Sequence, residues 1–258
     1  MVSAMPRKMS VLGGGLAAAL VATLTLALAG CSMETTAPGS ARQDAAADAK
    51  GSFGRADCRK AKCIALTFDA GPGKDTPELL DILKEKKVSA TFFLLGEHHV
   101  LKHPDTVRRI HDEGHEVANH TWTHKILTDE EPEEIRAELE KTQEAIEEIT
   151  GKRPRLMRPP QGRTDDRVSG ISKELGLSQV LWSATAKDYS TNDSALITRR
   201  ILDQAGKDGI ILLHDIYKGT VPAVPGIIDA LQKDGYTFVT VPELMAPAVP
   251  QPGTIYRP

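Results

Sequence analysis

Short apolar runs alternate with longer amphipathic segments through the middle of the chain, from about residue 57 to about residue 245. The short runs predict strands at 63–68, 90–94, 116–118, 155–157, 178–182, 209–213 and 236–240, and the first of them is rich in apolar and β-branched residues. The amphipathic segments predict helices at 76–87, 104–113, 132–150, 167–175, 194–205 and 222–234. Strands that alternate with helices over short connections indicate a parallel α/β sheet, either closed as a barrel or open and doubly wound.

The first thirty residues have the pattern of a targeting segment. Arg7 and Lys8 precede an apolar stretch from 11 to 30, which ends at small residues before Cys31. This stretch resembles a bacterial lipoprotein signal peptide (1–30), which implies lipidation of Cys31. A membrane-spanning anchor is the alternative, because the stretch is nearly long enough to cross a bilayer. Both interpretations place the rest of the chain outside the cytoplasm, and we expect a lipid-anchored lipoprotein at the cell membrane.

The segments on either side of the α/β pattern lack apolar periodicity. Residues 31–56 are polar and Ala-rich and predict a flexible linker, and residues 246–258 predict an irregular Pro-rich tail. The folded domain is therefore predicted at 57–245. Cys58 and Cys63 lie at its start, and outside the cytoplasm a disulfide is favoured over a metal or redox pair, although the spacing does not prove the bond.

Composition and local patterns disfavour two classes of function. The net charge of −3 provides no basic face for nucleic acid. A Rossmann-type nucleotide site is disfavoured because no predicted strand is followed by a G-x-G-x-x-G or Walker pattern. We expect a monomer that does not bind nucleic acid.

Polar residues follow five of the predicted strands where each strand ends: Asp69; His120 and His124; Arg158 with Gln161; Asp188; and His214. The carboxyl ends of the strands converge on one rim of a parallel barrel, so these side chains are expected to lie together. Each has a structural explanation when taken singly, such as turn chemistry for Asp69. His120 and His124 are four residues apart, which places both imidazoles on one face as in a metal-binding pair, and imidazole suits zinc, iron, cobalt or nickel.

Taken in order, these stretches resemble the NodB-type polysaccharide deacetylases, a family of metal-dependent enzymes that remove acetyl groups from amino sugars or acetylated polysaccharides. The resemblance covers the whole predicted domain and includes residues 90–96 and 114–120. It implies a distorted (β/α) barrel of about seven βα units, which agrees with the independent strand count.

The resemblance also implies a role for each residue at the rim. Asp69 matches the catalytic base, His214 the general acid, and His120 and His124 the ligands of a divalent metal, with zinc expected and cobalt, nickel or iron as alternatives. The remaining matches are Arg158, which orients the base; the Gln161 backbone amide, an oxyanion donor; Asp188, which tunes the acid; and Leu212, part of the acetate pocket. The implied reaction is metal-assisted hydrolysis.

One departure from the family concerns the metal. The family has a second acid, a metal ligand, directly after the base, and this chain has Ala70 there. A methyl group cannot bind a cation, so two neutral imidazoles are expected to hold a metal less tightly. Three outcomes are open: water or another side chain such as Glu97 completes the shell, Asp69 itself ligates the metal, or the site is metal-poor and inactive.

The sequence therefore predicts an envelope-anchored deacetylase of N-acetylated glycans, with peptidoglycan or a chitin-like oligosaccharide as the substrate. An acetyl-ester polysaccharide deacetylase is the nearest enzymatic alternative. A non-catalytic glycan-binding lipoprotein is the alternative from another class, and Ala70 is the feature that favours it.

Overall fold

The computed structural model describes residues 1–5, 33–46 and 54–258. Contacts divide the chain into two units, Met1–Ser32 and Met33–Pro258, and the fold given below is that of the second unit. Cys31 and all but the first five residues of the predicted signal peptide lie outside the described residues. In the part of the chain that the structure describes, no helix is long and apolar enough to cross a membrane.

A single sheet and a set of surrounding helices make up the second unit. The strands are β1 (Lys62–Gly71), β2 (Thr91–Leu94), β3 (Glu116–Asn119), β4 (Leu156–Met157), β5 (Ser178–Val180), β6 (Ala184–Thr185), β7 (Gly209–Leu213), β8 (Tyr236–Val239) and β9 (Ile255–Tyr256). The α-helices are α1 (Pro38–Ala46), α2 (Thr76–Lys86), α3 (Pro104–Asp112), α4 (Pro132–Thr150), α5 (Asp166–Glu174), α6 (Ser194–Leu202), α7 (Thr220–Lys233) and α8 (Val241–Met245).

The strands pair in parallel in the order β6-β7-β1-β2-β3-β4-β5-β9, and β8 pairs with β1. The sheet curls into a half-barrel whose path begins at β6 and ends at β9. The predicted α/β fold, a distorted barrel of βα units, is confirmed. The seven predicted strands correspond to β1–β5, β7 and β8, whereas the two-residue strands β6 and β9 were not predicted.

Strand β1 organises the sheet because its residues alternate between two buried layers. Ile64, Leu66 and Phe68 pack in the layer that also contains buried side chains of α2 and α7. Cys63 and Ala65 pack in the other layer, among side chains of the neighbouring strands. The same alternation brings position 69 to the second, inner layer, so the strand carries a carboxylate to the inside of the half-barrel at its carboxyl end.

The fold extends beyond the predicted amino-terminal boundary. The segment predicted to be a flexible linker contains α1, which packs against α8. Arg42 of this helix is buried and donates from Nη1 to the carbonyl of Leu244 (2.6 Å) and from Nη2 to Asp208 Oδ2 (2.8 Å). The sequence concealed this helix because one arginine and small alanines make its contacts, and neither forms an apolar stripe.

The fold also extends into the predicted irregular tail. Strand β9 pairs with β5 and buries Ile255 and Tyr256, and Thr36 forms a bridge with Tyr256. A two-residue strand has no alternation that a pattern search could detect. At the other end of the domain, a disulfide joins Cys58, which lies just before β1, to Cys63, the second residue of β1.

Candidate active site

The carboxyl end of β1 departs from regular strand geometry. Its register with β2 shifts between Asp69 and Gly71, so Ala70 is an extra residue in a β-bulge, with φ of 65°. A Cβ at position 71 would lie 2.5 Å from Asp215 Oδ1, so glycine is required there. Asp69 lies just before the bulge and is only 2% exposed.

Arg158 holds Asp69 from behind. Its fully buried guanidinium donates from Nη1 to Asp69 Oδ1 (2.6 Å) and to Thr67 Oγ1 (2.8 Å), and from Nε to the carbonyl of Val180 (2.9 Å). Burial lowers the pKa of Arg158, while the charge and hydrogen bond of Asp69 oppose that shift. Arginine nevertheless stays protonated in proteins. The ion pair fixes one carboxylate oxygen and leaves Oδ2 of Asp69 available at the cavity described below.

His120 and His124 follow β3 and lie beside Asp69. Nδ1 of His120 is 2.7 Å from the carbonyl oxygen of Arg158, which only accepts, so Nδ1 carries the hydrogen and Nε2 keeps its lone pair. That Nε2 is 3.8 Å from Asp69 Oδ2, and the two histidine rings are 5.0 Å apart between centroids. Burial lowers the pKa of His120 to about 4 and also lowers the pKa of His124. Both imidazoles are therefore neutral at pH 7, the form that binds metal.

Glu138, which sequence reasoning did not single out, holds the loop that carries His124. Its carboxylate accepts from the backbone N–H of Trp122 (3.0 Å) and Thr123 (2.8 Å) and from the hydroxyl of Thr123 (2.6 Å). His124 itself has φ of 65°. The position of Glu138 in the sequence could have indicated this role. It falls on the apolar side of α4, one residue before Leu139, where an acid needs buried hydrogen-bonding partners.

His214 follows β7, and Asp188 supports it. Asp188 Oδ1 accepts from His214 Nδ1 (2.9 Å), while Oδ2 accepts from the backbone N–H of His214 (2.7 Å) and the hydroxyl of Thr220 (2.8 Å). Burial alone would lower the pKa of His214, but the hydrogen bond and charge of Asp188 outweigh burial and raise this pKa above its ordinary value. His214 is thus suited to donate a proton near neutral pH.

One cavity of about 570 Å³ joins these groups. Its wall consists of Asp69, His120, His124, Gln161, Trp182, Thr185, Lys187, Tyr189, Leu212, His214 and Tyr217. Every predicted catalytic, metal and substrate residue therefore lines this cavity or, in the case of Arg158 and Asp188, bonds to a residue that does. Their chemical roles stay predictions.

Glu97, the suggested replacement for the missing acid, does not line this cavity. It lies in the short helical segment Gly96–Val100, where its Oε2 is 3.2 Å from Nε2 of His98 and its side chain is 43% exposed. Leu95 separates this segment from β2, and the side chain of Glu97 is partly exposed and pairs with His98, so the geometry does not support this hypothesis.

The side chains around His120 and His124 offer a divalent metal an incomplete set of ligands. His120 and His124 provide neutral imidazoles, and Nε2 of His120 has a free lone pair. Ala70 provides no ligand, and Asp69 already bonds to Arg158 through Oδ1. Among the residues that the structure describes, no group of three or more His, Cys, Asp or Glu side chains is arranged to hold a metal. The site therefore offers a metal two nitrogen ligands and lacks a dedicated carboxylate ligand.

The chain is similar in sequence to known polysaccharide deacetylases. A family model described as polysaccharide deacetylase matches residues 56–180. The chain is 40% identical over 184 residues to the peptidoglycan-N-acetylglucosamine deacetylase PgdA of Listeria monocytogenes, an alignment that covers 71% of this chain and 39% of PgdA. It is 37% identical over 191 residues to the peptidoglycan-N-acetylmuramic acid deacetylase PdaA of Bacillus subtilis, covering 72% of each chain. The chain thus spans about two fifths of the length of PgdA.

Solved structures give the same assignment. A structure of the T48 deacetylase with substrate superposes with a TM-score of 0.75 and 40% identity, covering 78% of this chain and 99% of that one. A pseudoenzyme of carbohydrate esterase family 4 from Bacillus anthracis superposes with a TM-score of 0.69 and 28% identity, covering 76% and 70%, and a mutant of it has restored enzymatic activity. By sequence and fold, this chain belongs to the NodB-type polysaccharide deacetylase family, whose members are generally metal-dependent.

Proposed function

We propose that this chain hydrolyses the N-acetyl groups of peptidoglycan or of a chemically similar N-acetylated glycan. The observation that carries the proposal is the presence of two differently supported proton-transfer groups on one cavity, Asp69 held by Arg158 and His214 held by Asp188. Amide hydrolysis needs one group that takes a proton from water and another that gives a proton to the leaving nitrogen. PgdA and PdaA, which are peptidoglycan deacetylases by name, support the choice of substrate class.

The reaction breaks the C–N bond of the acetamide and adds water across it. Asp69 accepts a proton from the attacking water through Oδ2, and His214 donates a proton to the leaving amine. The products are acetate and a free amino sugar. The backbone N–H of Gln161 is our candidate donor to the oxyanion, and Leu212 is the apolar wall against the acetyl methyl group.

A divalent metal, for which zinc is our proposal, polarises the acetyl carbonyl when it is bound. His120 and His124 would hold it through their neutral ring nitrogens. Because Ala70 supplies no ligand, we expect a lower metal affinity than in a site with two histidines and a carboxylate.

We also propose that the protein acts outside the cytoplasm as a monomer tethered by a lipid on Cys31. The charged and apolar pattern before Cys31 supports this location, and so does a substrate in the cell wall. Cys31→Ser is expected to shift the protein from the membrane fraction to the soluble fraction. Retention of the variant in membranes would favour a spanning segment.

A non-catalytic glycan-binding protein is the second candidate, and Ala70 favours it because the family's usual metal ligand is missing. The B. anthracis pseudoenzyme shows that a protein of this fold can lack activity.

The deciding experiment is acetate release by the purified chain from N-acetylglucosamine oligomers, peptidoglycan and acetylated xylan, with and without added Zn²⁺ or Co²⁺. We expect release from the N-acetylated substrates and its loss in His120→Ala. His111→Ala, on the surface of α3, is the matched control and should keep full activity. Release from xylan alone would establish an esterase. Glycan binding without release from any substrate would favour the second candidate.

A further inference from the structure

The charges on the cavity wall are unequally compensated. Arg158 neutralises Asp69, Asp188 supports His214, and His120 and His124 are neutral at pH 7. Lys187 is the one lysine or arginine on this wall, and its ammonium belongs to none of the ion pairs among the described residues. The wall therefore presents a cation that the protein leaves for solvent or for a ligand.

The backbone fixes Lys187 next to the proposed acid. Its φ and ψ are 49° and 45°, its N–H donates to Thr185 Oγ1 (3.3 Å), and its carbonyl accepts from Ser190 Oγ (2.6 Å). A left-handed conformation at a non-glycine residue costs about 1 kcal/mol and is kept only where the surroundings enforce it. The following residue, Asp188, is buried against His214, so the position of Lys187 is tied to that of the acid.

Aromatic rings provide a surface for a sugar at the same place. Tyr189 is 59% exposed, and its ring centroid lies 6.3 Å from that of His214. Tyr217 lies edge-on to His214 at 5.4 Å. Tyr189, Tyr217 and Lys187 line the same cavity as His214, so a sugar bound beside His214 would have both rings and the lysine around it. Lys187 is exposed, so its ammonium keeps most of its hydration until a substrate arrives.

On this basis, and given the deacetylase function proposed above, we propose that Lys187 pairs with a carboxylate carried by the sugar that is deacetylated. Of the two N-acetylated sugars named in the relatives, N-acetylglucosamine is neutral and N-acetylmuramic acid carries a carboxylic acid on its lactyl ether. That carboxyl is charged only where no stem peptide is joined to it through an amide. The preferred substrate is therefore N-acetylmuramic acid in glycan strands without stem peptides.

The test compares three substrates with the purified full chain: N-acetylglucosamine oligomers, intact peptidoglycan, and peptidoglycan from which an amidase has removed the stems. Acetate release gives the rates, and hydrolysis of the product shows whether glucosamine or muramic acid was formed. The variants are Lys187→Gln and Lys187→Arg, with Lys233→Gln, an exposed lysine in the last turn of α7, as the charge-matched control.

We expect Lys187→Gln to raise KM for the stripped glycan about fivefold, with kcat nearly unchanged, because one partly solvated ion pair is lost. Lys187→Arg and Lys233→Gln should behave like the wild type, and KM for the neutral oligomers should not respond to any variant. An unchanged KM for the stripped glycan, or an equal rise on the neutral oligomers, overturns the proposal. A response confined to intact peptidoglycan overturns it in favour of a stem-peptide carboxylate.

Binding measured on the same samples separates this proposal from the proposed function. If no substrate releases acetate, the deacetylase function fails, and the Kd values of stripped glycan and neutral oligomers still test Lys187. About fivefold weaker binding of the stripped glycan alone to Lys187→Gln would keep the carboxylate contact. Equal Kd values for the wild type and this variant would exclude it.

Discussion

Two buried pairs, Asp69 with Arg158 and Asp188 with His214, face the same cavity in opposite orientations. In the first pair the carboxylate reaches the cavity, and a cation with 0% exposure lies behind it. In the second pair the imidazole reaches the cavity, and a carboxylate with 0% exposure lies behind it. A permanent cation behind an acid gives a group suited to accept a proton, while an acid behind an imidazole gives a group suited to donate one.

The largest expected effect comes from breaking the first pair. Asp69→Asn should lower kcat about 10³-fold because the proton acceptor is lost. It should also destabilise the fold by about 3 kcal/mol, because Arg158 stays buried without an ionic partner. Acetate release at a temperature where the variant is folded and urea unfolding measure the two effects.

The double variant Asp69→Asn with Arg158→Met is the control for that prediction. It should recover part of the lost stability without recovering activity, since both charges are then absent. A stability of Asp69→Asn equal to that of the wild type would contradict the view that this ion pair is fully desolvated.

Asp215 sharpens the comparison because it is a buried carboxyl whose hydrogen-bonding partner in the described structure is a hydroxyl, that of Thr76. Its Oδ1 has no partner among residues 54–258, and burial raises the pKa of Asp215 to about 6. A carboxyl whose pKa is raised on folding stabilises the protein below its unfolded pKa, and this contribution is lost as pH rises through the folded pKa.

Asp215→Asn should therefore remove a pH-dependent loss of about 2 kcal/mol between pH 4 and pH 7. Urea unfolding at both pH values is the measurement, and the surface substitution Asp166→Asn in the first turn of α5 is the control. Parallel pH dependences of the wild type and Asp215→Asn would show that Asp215 ionises without cost in the folded protein.

Position 70 allows metal binding to be changed without removing Asp69, the proposed proton acceptor of the first pair. Ala70→Asp should tighten zinc binding about 10- to 100-fold, because a carboxylate would join two neutral imidazoles. Asp also tolerates the left-handed conformation of this position, φ 65°, better than alanine does. Competition with a chromophoric chelator measures the affinity, and Ala70→Asn is the uncharged control. Equal zinc affinities for the Asp and Asn variants would show that the bulge directs position 70 away from His120 and His124.

The strands of the barrel and the residues at their ends were predictable because each apolar run ends abruptly at a polar residue. Asp69 near the carboxyl end of β1 and His214 directly after β7 could be located in this way, and family resemblance then supplied their roles. The structural roles of Arg42 and Glu138 could not be predicted from local sequence. Arg42 contacts residues far away in the sequence, and Glu138 is a single buried charge in an otherwise ordinary helix. Strand β9 was missed for a related reason: two residues become a strand only because β5 offers an edge.

The smallest expected effect tests the second pair, through Asp188→Asn. The charge of Asp188 helps to raise the pKa of His214, and His214 donates a proton only below that pKa. The wild-type kcat should therefore fall as pH rises through this pKa, and the variant should show the same fall at a pH lower by about one unit, because the favourable charge is gone. At pH values below the fall in kcat of both proteins, the kcat of Asp188→Asn should approach that of the wild type. Thr220→Val removes a neutral hydrogen-bond donor from Asp188, and this variant should lose activity at the same pH as the wild type. If kcat of Asp188→Asn falls at the same pH as kcat of the wild type, a group other than His214 supplies the proton.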